Sequence, residues 1–295
     1  MGRAWEGFWY GRGSARNLAA ARILLAGTAL WMVLSRADLP SLLGFPPELW
    51  AAVSPERRLR YLMVLPLTTE RWLYGLLHVT LGAALLGVMP RAACLASGLL
   101  LYHFAPFETL VRTANPYLRG LTIPTLGLIV LSFARCGDAL AVRFGRRPSP
   151  PPADDWEYAW PLRLVQLLFC QIYLFAAYSK LFASGGAWMD AANLRGHLLL
   201  LNQALSDPPE ASWGYAVAAH PTLCGALAWA GLALEIGFPL VLFSSLARWV
   251  LLPAALAFHA ANSLLFRIFF QNFPLLLLFV DWDGLSVRRR PAEGH

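Results

Sequence analysis

Apolar runs close to the length of a membrane-crossing helix recur along this chain, and they restrict its fold more than any other feature. A helix needs ~20 predominantly apolar residues to cross a ~30 Å hydrocarbon core. Inside that core only helices and closed barrels satisfy every backbone polar group. The first run is 18–35, and others lie near 70–89, 91–112, 118–135, 160–183, 222–243 and 246–270, with a short last one at 272–282. These runs predict an all-α fold, a polytopic membrane helical bundle with about eight transmembrane helices, forming one domain over 1–295.

Composition points the same way. Hydrophobic residues make up 58% of the chain and charged residues 14%, with a mean hydropathy of +0.51. An ordinary soluble domain carries about 25% charged residues. Disorder, a collagen-like repeat, a disulfide scaffold and an ordinary cytosolic enzyme are excluded on these grounds. The net charge is +7, which in a soluble protein would suggest nucleic acid. No basic, aromatic-bearing soluble module lies outside the apolar runs, so nucleic acid is not the expected partner. Loop arginines that set topology and meet anionic membrane lipid account for the excess.

The stretches between the runs set the expected organisation. Residues 1–16 are basic and aromatic, and 36–38 lack the small-x-small site of a cleaved leader, so 18–35 reads as a retained span. Residues 39–60 contain Pro40, Pro46, Pro47 and Pro55 and read as a loop or interfacial segment. The sequence RFGRRPSPPPADD (143–155) reads as a Pro-rich surface linker between spans. Residues 184–215, with Trp188, Trp213 and Tyr215, suit an excursion along the membrane surface. Basic termini and an even number of spans place both ends in the cytoplasm, in a multi-pass protein of the cell or inner membrane.

Polar residues inside the runs are the candidates for chemistry. Arg163, Gln166, Cys170, Tyr173, Ala177 and Lys180 are spaced alternately three and four apart, which on a helix makes a single stripe. A central lysine or arginine costs roughly 2.5–3.5 kcal/mol on insertion scales, so the stripe should face the bundle interior or a wet cavity. Lys180, the only lysine in the chain, lies toward the helix end, where a long side chain can also snorkel to the interface. His259, Asn262, Ser263, Phe266 and Phe270 form a second seam, whose plain reading is interhelical hydrogen bonding. Glu235 falls mid-span, where a carboxylate needs a partner. His78 and His103 read as packing residues, and Glu108 and Arg112 as a helical ion pair with the acid first.

Other signatures are missing. Cys94, Cys136, Cys170 and Cys224 are widely spaced with no CxxC pair, which supports neither a metal cluster nor a disulfide framework. HExxH, GxSxG and GxxxxGK[ST] do not occur, and no metal is expected. A membrane lysine among Tyr, Gln and His suits either acid–base work on an apolar substrate or a buried polar network.

Four stretches carry a family resemblance. QIYLFAAYSKLFASGGAWMD (171–190) resembles the Y-[FL]-x-A-G-x-x-K-L…W-x-[DE]-G signature of the HTTM (horizontally transferred transmembrane domain) family, which includes the membrane part of vitamin K-dependent gamma-carboxylase. FHAANSLLFRIFF (258–270) resembles its F-H-x-x-N-S-x-L-F-x-I-x-x-F segment. ANPYLRGL (114–121) with ARCGDALAV (134–142), and more loosely ARILLAGTALWMVLSRADLP (21–40), extend the similarity over nearly the whole chain.

The resemblance implies a membrane lysine that deprotonates a reduced quinone, after which oxygenation yields a stronger base. That base removes a glutamyl γ-proton, and carbon dioxide adds to the carbanion. Carried over residue by residue, the base falls on Lys180; the polar seams add His259 and Glu235 as further candidates, with Gln166, Tyr173, Asn115 and Asn262 in support. Two departures bear on carboxylation. Asn115 stands where the family enzyme has a catalytic histidine, and the chain lacks the large lumenal domain that reads a protein substrate. The expectation is therefore a carboxylase-like membrane enzyme acting on a quinol, another apolar substrate or a small peptide, with a reduced quinone as cofactor. The alternative is a non-enzymatic scaffold or partner subunit for peptide modification or export. A small-molecule transporter is a third reading, without the broken-helix repeat pair that would support it.

Overall fold

Every regular element among the described residues is helical. The computed structural model describes residues 2–11, 13–35, 65–111, 120–142, 156–205 and 212–287. The loop 39–60, Arg112, Asn115, the linker 143–155 and the tail from 288 lie outside them. Eleven α-helices are described, named here in chain order: α1 (Gly2–Tyr10), α2 (Ala15–Leu34), α3 (Leu67–Leu86), α4 (Pro90–Val111), α5 (Thr122–Ser132), α6 (Trp156–Tyr178), α7 (Ala191–Leu205), α8 (Trp213–Ala218), α9 (Pro221–Gly237), α10 (Ser245–Phe266) and α11 (Trp282–Val287). Local chemistry sets several starts. Ser14, Ser212 and Ser244 accept main-chain N–H bonds as N-caps of α2, α8 and α10. Pro90 and Pro221 open α4 and α9, where the missing N–H costs nothing.

Four stretches are long and apolar enough to cross a membrane: Ala15–Leu34, Trp156–Ala183, Pro221–Leu242 and Ser245–Phe266. They fit an integral membrane protein. The helices α3 and α4, of 20 and 22 residues, reach ~30 Å by length. The run expected at 118–135 holds only the 11 residues of α5. The short last run, 272–282, holds a seven-residue 3-10 helix, Phe273–Phe279. At ~2.0 Å per residue that element covers less than half of a hydrocarbon core.

The chain divides into two compact units, 1–165 with 280–295, and 166–279. In the first, α2 and α4 each pack against both α3 and α5, and α11 packs on α2. Leu18, Leu25, Met32, Leu77, Leu81, Leu101, Leu128 and Leu131 fill the centre without exposure. The α4–α5 approach depends on Gly98, where a Cβ would sit 2.6 Å from Ile129 Cγ1 and 3.2 Å from its main-chain N.

Two polar clusters are built into this apolar unit. Glu70, in the first turn of α3, is fully buried and accepts from the Leu65 N–H at 3.0 Å and from His103 Nε2 at 2.9 Å. His78 donates from Nδ1 to the Tyr74 carbonyl one turn earlier, 2.7 Å away. Arg22, deep in α2, is also fully buried. Its guanidinium donates to the Cys136 carbonyl at 2.6 Å and to the Leu140 carbonyl. Leu140 has φ +48°, a left-handed conformation that a branched side chain adopts at a cost. The Arg22 bond holds that carbonyl where it is.

The second unit packs α7 against α8 and α9, and α10 against α7, α8 and α9. The stretch 184–215, expected as a surface excursion, carries α7, whose Leu194 and Leu198 are buried with Ala218, Cys224 and Ala228. The main-chain carbonyl of Leu265 accepts from Asn202 Nδ2 at 2.7 Å, tying α7 to the end of α10.

Candidate functional site

The candidate site lies wholly within the second unit. The stripe of α6 is its floor: Gln166, Cys170, Tyr173 and Ala177 are all buried, whereas Leu174, Phe175, Tyr178 and Phe182 on the other faces are exposed. Alternating three- and four-residue spacing thus sorted the helix into a polar interior stripe and an apolar outer surface. Past Tyr178 the helix relaxes into one π-helical turn, Ser179–Ala183. Such turns are uncommon and occur often at functional positions. Lys180 sits in that turn, and its own carbonyl accepts from the Ser184 hydroxyl.

The Lys180 side chain turns toward α9. Its ammonium is paired with Glu235 Oε1 of α9. The Lys180 side chain is 17% exposed and that of Glu235 only 4%. Two aromatic faces enclose the amine: the Trp188 ring, with its centroid 5.4 Å from Nζ, and the Phe258 ring at 6.0 Å. Each such contact is worth about 0.5–2 kcal/mol, more when desolvated. The second carboxylate oxygen, Glu235 Oε2, is buried with no hydrogen-bond partner among the described residues. A buried acceptor left open costs about 1–3 kcal/mol, so it is a place where a donor is wanted.

Deeper along α6 a second polar pair forms. Tyr173 Oη and His259 Nε2 share a 2.7 Å hydrogen bond. Phe238 stacks on Tyr173 at 3.9 Å and 16°, and Phe270 stacks on His259 at 4.1 Å and 14°. The seam reading put Phe270 on the same helical face as His259, with the run continuing to 270. In the structure α10 stops at Phe266, because Arg267 takes a left-handed φ of +57°. The chain then folds back, and Phe270 reaches the imidazole from outside the helix. Gln166 donates from Nε2 to the Leu278 carbonyl at 2.7 Å. Asn262 contributes its main-chain carbonyl, which caps the turn at Arg267 and Ile268.

The fold thus joins Lys180 to Glu235 and Tyr173 to His259, residues that the sequence singles out separately. Asn115 lies outside the described residues. Trp188, Phe238 and Phe258 are walls that residue-by-residue reading missed. Trp188 carries a signal in the sequence as the aromatic residue of W-x-[DE] after the lysine, and Phe258 as the first residue of the F-H-x-x-N-S stretch; Phe238 carries none. Among the described residues no three His, Cys, Asp or Glu side chains converge as metal ligands would.

Chemically, an amine and a carboxylate in contact can share one proton. Shifted from Nζ to the carboxylate, it leaves a neutral amine beside a carboxylic acid, with no change in net charge. The amine is then a proton acceptor and the acid a donor, as general acid–base work requires. No family model, curated protein or solved structure matches the chain.

Proposed function

We propose that this chain is an integral membrane enzyme in which the Lys180–Glu235 pair moves a proton to or from an apolar substrate bearing a hydroxyl or N–H group. The observation that carries this reading is the open, buried Glu235 Oε2 beside a paired amine and two aromatic walls. A substrate hydroxyl donating to Oε2 would lie next to Nζ. Once the pair's proton has passed to the carboxylate, the amine takes the substrate proton, and the substrate anion forms beside an ammonium. The resemblance to the HTTM family makes a reduced quinone the substrate of choice, with a small peptide, alone or on a partner protein, as the carboxylated species. About eight membrane passages, with both termini in the cytoplasm, belong to the same proposal.

The test incubates membranes containing the chain with a reduced quinone, oxygen, labelled bicarbonate and a glutamate-containing peptide. Quinone epoxidation or label incorporation is expected for the native chain and should vanish in Lys180→Ala. Turnover that persists in Lys180→Ala removes the residue from the mechanism. A second reading, a scaffold or partner subunit, is favoured by the same ion pair, since a lysine held by a buried glutamate also serves simply to fix α6 to α9. Absence of turnover in the native chain would make the scaffold the better reading.

A further inference from the structure

Away from that site, the first unit has a cavity of about 750 Å³ whose lining carries both signs of charge. Met89, Pro90 and Arg91 reach it from the start of α4, Arg135 and Asp138 from the segment after α5, and Glu157 from the first turn of α6. These four charges are unevenly engaged. Arg135 holds both acids, with Nε 2.7 Å from Asp138 Oδ2 and Nη1 3.2 Å from Glu157 Oε2. Asp138 Oδ2 also accepts from the hydroxyl of Tyr158, which is completely buried, at 2.6 Å. One guanidinium thus serves two carboxylates, and that network keeps a net negative charge.

Arg91 supplies the opposite sign. Its Nε donates to the Ala134 carbonyl at 2.9 Å, which fixes the guanidinium plane, and its terminal nitrogens hold no partner among the described residues. A guanidinium fixed in this way matches the paired oxygens of a phosphate. The acidic network, with the Glu157 side chain 41% exposed, matches an ammonium. A ligand with both groups and no net charge therefore fits the lining. Position says what carries them. Glu157 opens Trp156–Ala183, a stretch long and apolar enough to cross a membrane, and the ends of such helices lie at the headgroup level. Exposed apolar side chains adjoin the cavity: the Val142 N–H donates to the Leu86 carbonyl at 3.1 Å, and Leu86, Met89, Leu140 and Val142 are all exposed.

We propose that this cavity binds the headgroup of a zwitterionic phospholipid with a primary amine, a phosphatidylethanolamine. The phosphate sits on Arg91, the ammonium on the Glu157–Asp138 network, and the first acyl carbons on Leu86, Met89, Leu140 and Val142. A phosphatidylglycerol would satisfy Arg91 and leave the acids without a cation. A phosphatidylcholine has no N–H to donate to them, and charge-assisted hydrogen bonds are the strong ones. The assignment requires only that the chain lie in a bilayer, and it is independent of the chemistry at Lys180.

The experiment titrates the full chain, purified in detergent, with the dioleoyl forms of phosphatidylethanolamine, phosphatidylcholine and phosphatidylglycerol, and counts bound lipid by native mass spectrometry. Phosphatidylethanolamine is expected to bind about tenfold more tightly than either of the others. Arg91→Ala and Glu157→Gln should each remove that preference. If a variant fails to fold, the native chain decides by crosslinking to a phosphatidylethanolamine with a diazirine early in its acyl chain. Crosslinks are expected at Leu86, Met89, Leu140 or Val142. Equal binding of the three lipids, tighter binding of phosphatidylglycerol, or crosslinks confined to other segments would overturn the proposal. Free phosphoethanolamine binding as tightly as the lipid would give the cavity to a soluble ligand and overturn the lipid assignment.

Discussion

Lys180 and Glu235 hold each other against the cost of taking a charge out of water, and this makes their single variants informative in different ways. Removing one partner of a buried pair strands the other, at about 3–5 kcal/mol. Glu235→Gln is therefore expected to lower the unfolding free energy by that order and to abolish turnover. Replacing a buried pair by apolar residues of similar volume is neutral or stabilising by about 1–4 kcal/mol. The double variant Lys180→Met with Glu235→Met should recover the stability lost in either single variant yet remain inactive. Lys180→Arg keeps the ion pair but cannot give up its proton, so it should be stable and inactive. Tryptophan fluorescence during unfolding in detergent measures the first property, and quinone turnover the second. At the other pair, Tyr173→Phe keeps the stack on Phe238 but takes from the half-buried His259 nitrogen its hydrogen bond to Tyr173. The expected loss is about 0.5–1.5 kcal/mol, read in the same unfolding experiment.

At the scale of elements, glycines mark where helices turn or meet. Gly87 ends α3 with φ +75°, and a Cβ there would lie 2.7 Å from Ala141 Cα and 2.9 Å from Arg22 Nη1. Gly87→Ala combines a left-handed strain of about 1–3 kcal/mol with displacement of the Arg22 clamp, and should destabilise the protein by at least the strain alone. Gly75, in the middle of the same helix, has open space around its Cα, so Gly75→Ala should stabilise by about 0.5–1 kcal/mol through lower chain entropy. Comparing the thermal unfolding of the two variants checks both signs. A Gly87→Ala protein as stable as the native chain would mean that the turn between α3 and α4 relaxes without cost. The π-helical turn has a related logic. Lys180 lies where helical spacing is interrupted, just before Gly185 and Gly186, both at positive φ, and Trp188 of the following 3-10 turn is thereby folded over the amine.

For the molecule as a whole, four helices of membrane length and composition predict that the chain stays with the bilayer pellet after alkaline carbonate washing. Release into the supernatant would contradict membrane insertion. Topology is checked by reporter fusions at residue 150, at the C-terminus and near residue 205. The proposed arrangement expects cytoplasmic signals at the first two and an external signal at the third. An internal signal near 205 would put Lys180 in the opposite half of the bilayer.

Apolar runs and helical spacing by themselves determined a good deal. Hydrocarbon tolerates little besides a continuous helix, so runs of ~20 apolar residues set where α2, α6, α9 and α10 lie. The spacing of Gln166, Cys170, Tyr173 and Ala177 showed which face of α6 is buried, because a helix returns to the same face every three to four residues. Contacts between distant segments obey no such period. Which carboxylate meets Lys180, the stacking of Phe270 on His259 after α10 ends early, and the closure of Arg22 on the Cys136 and Leu140 carbonyls were decided only by the tertiary structure. Arg22 offered one visible sign, a guanidinium inside an apolar run, and its partners are carbonyls, which every residue possesses and no sequence distinguishes.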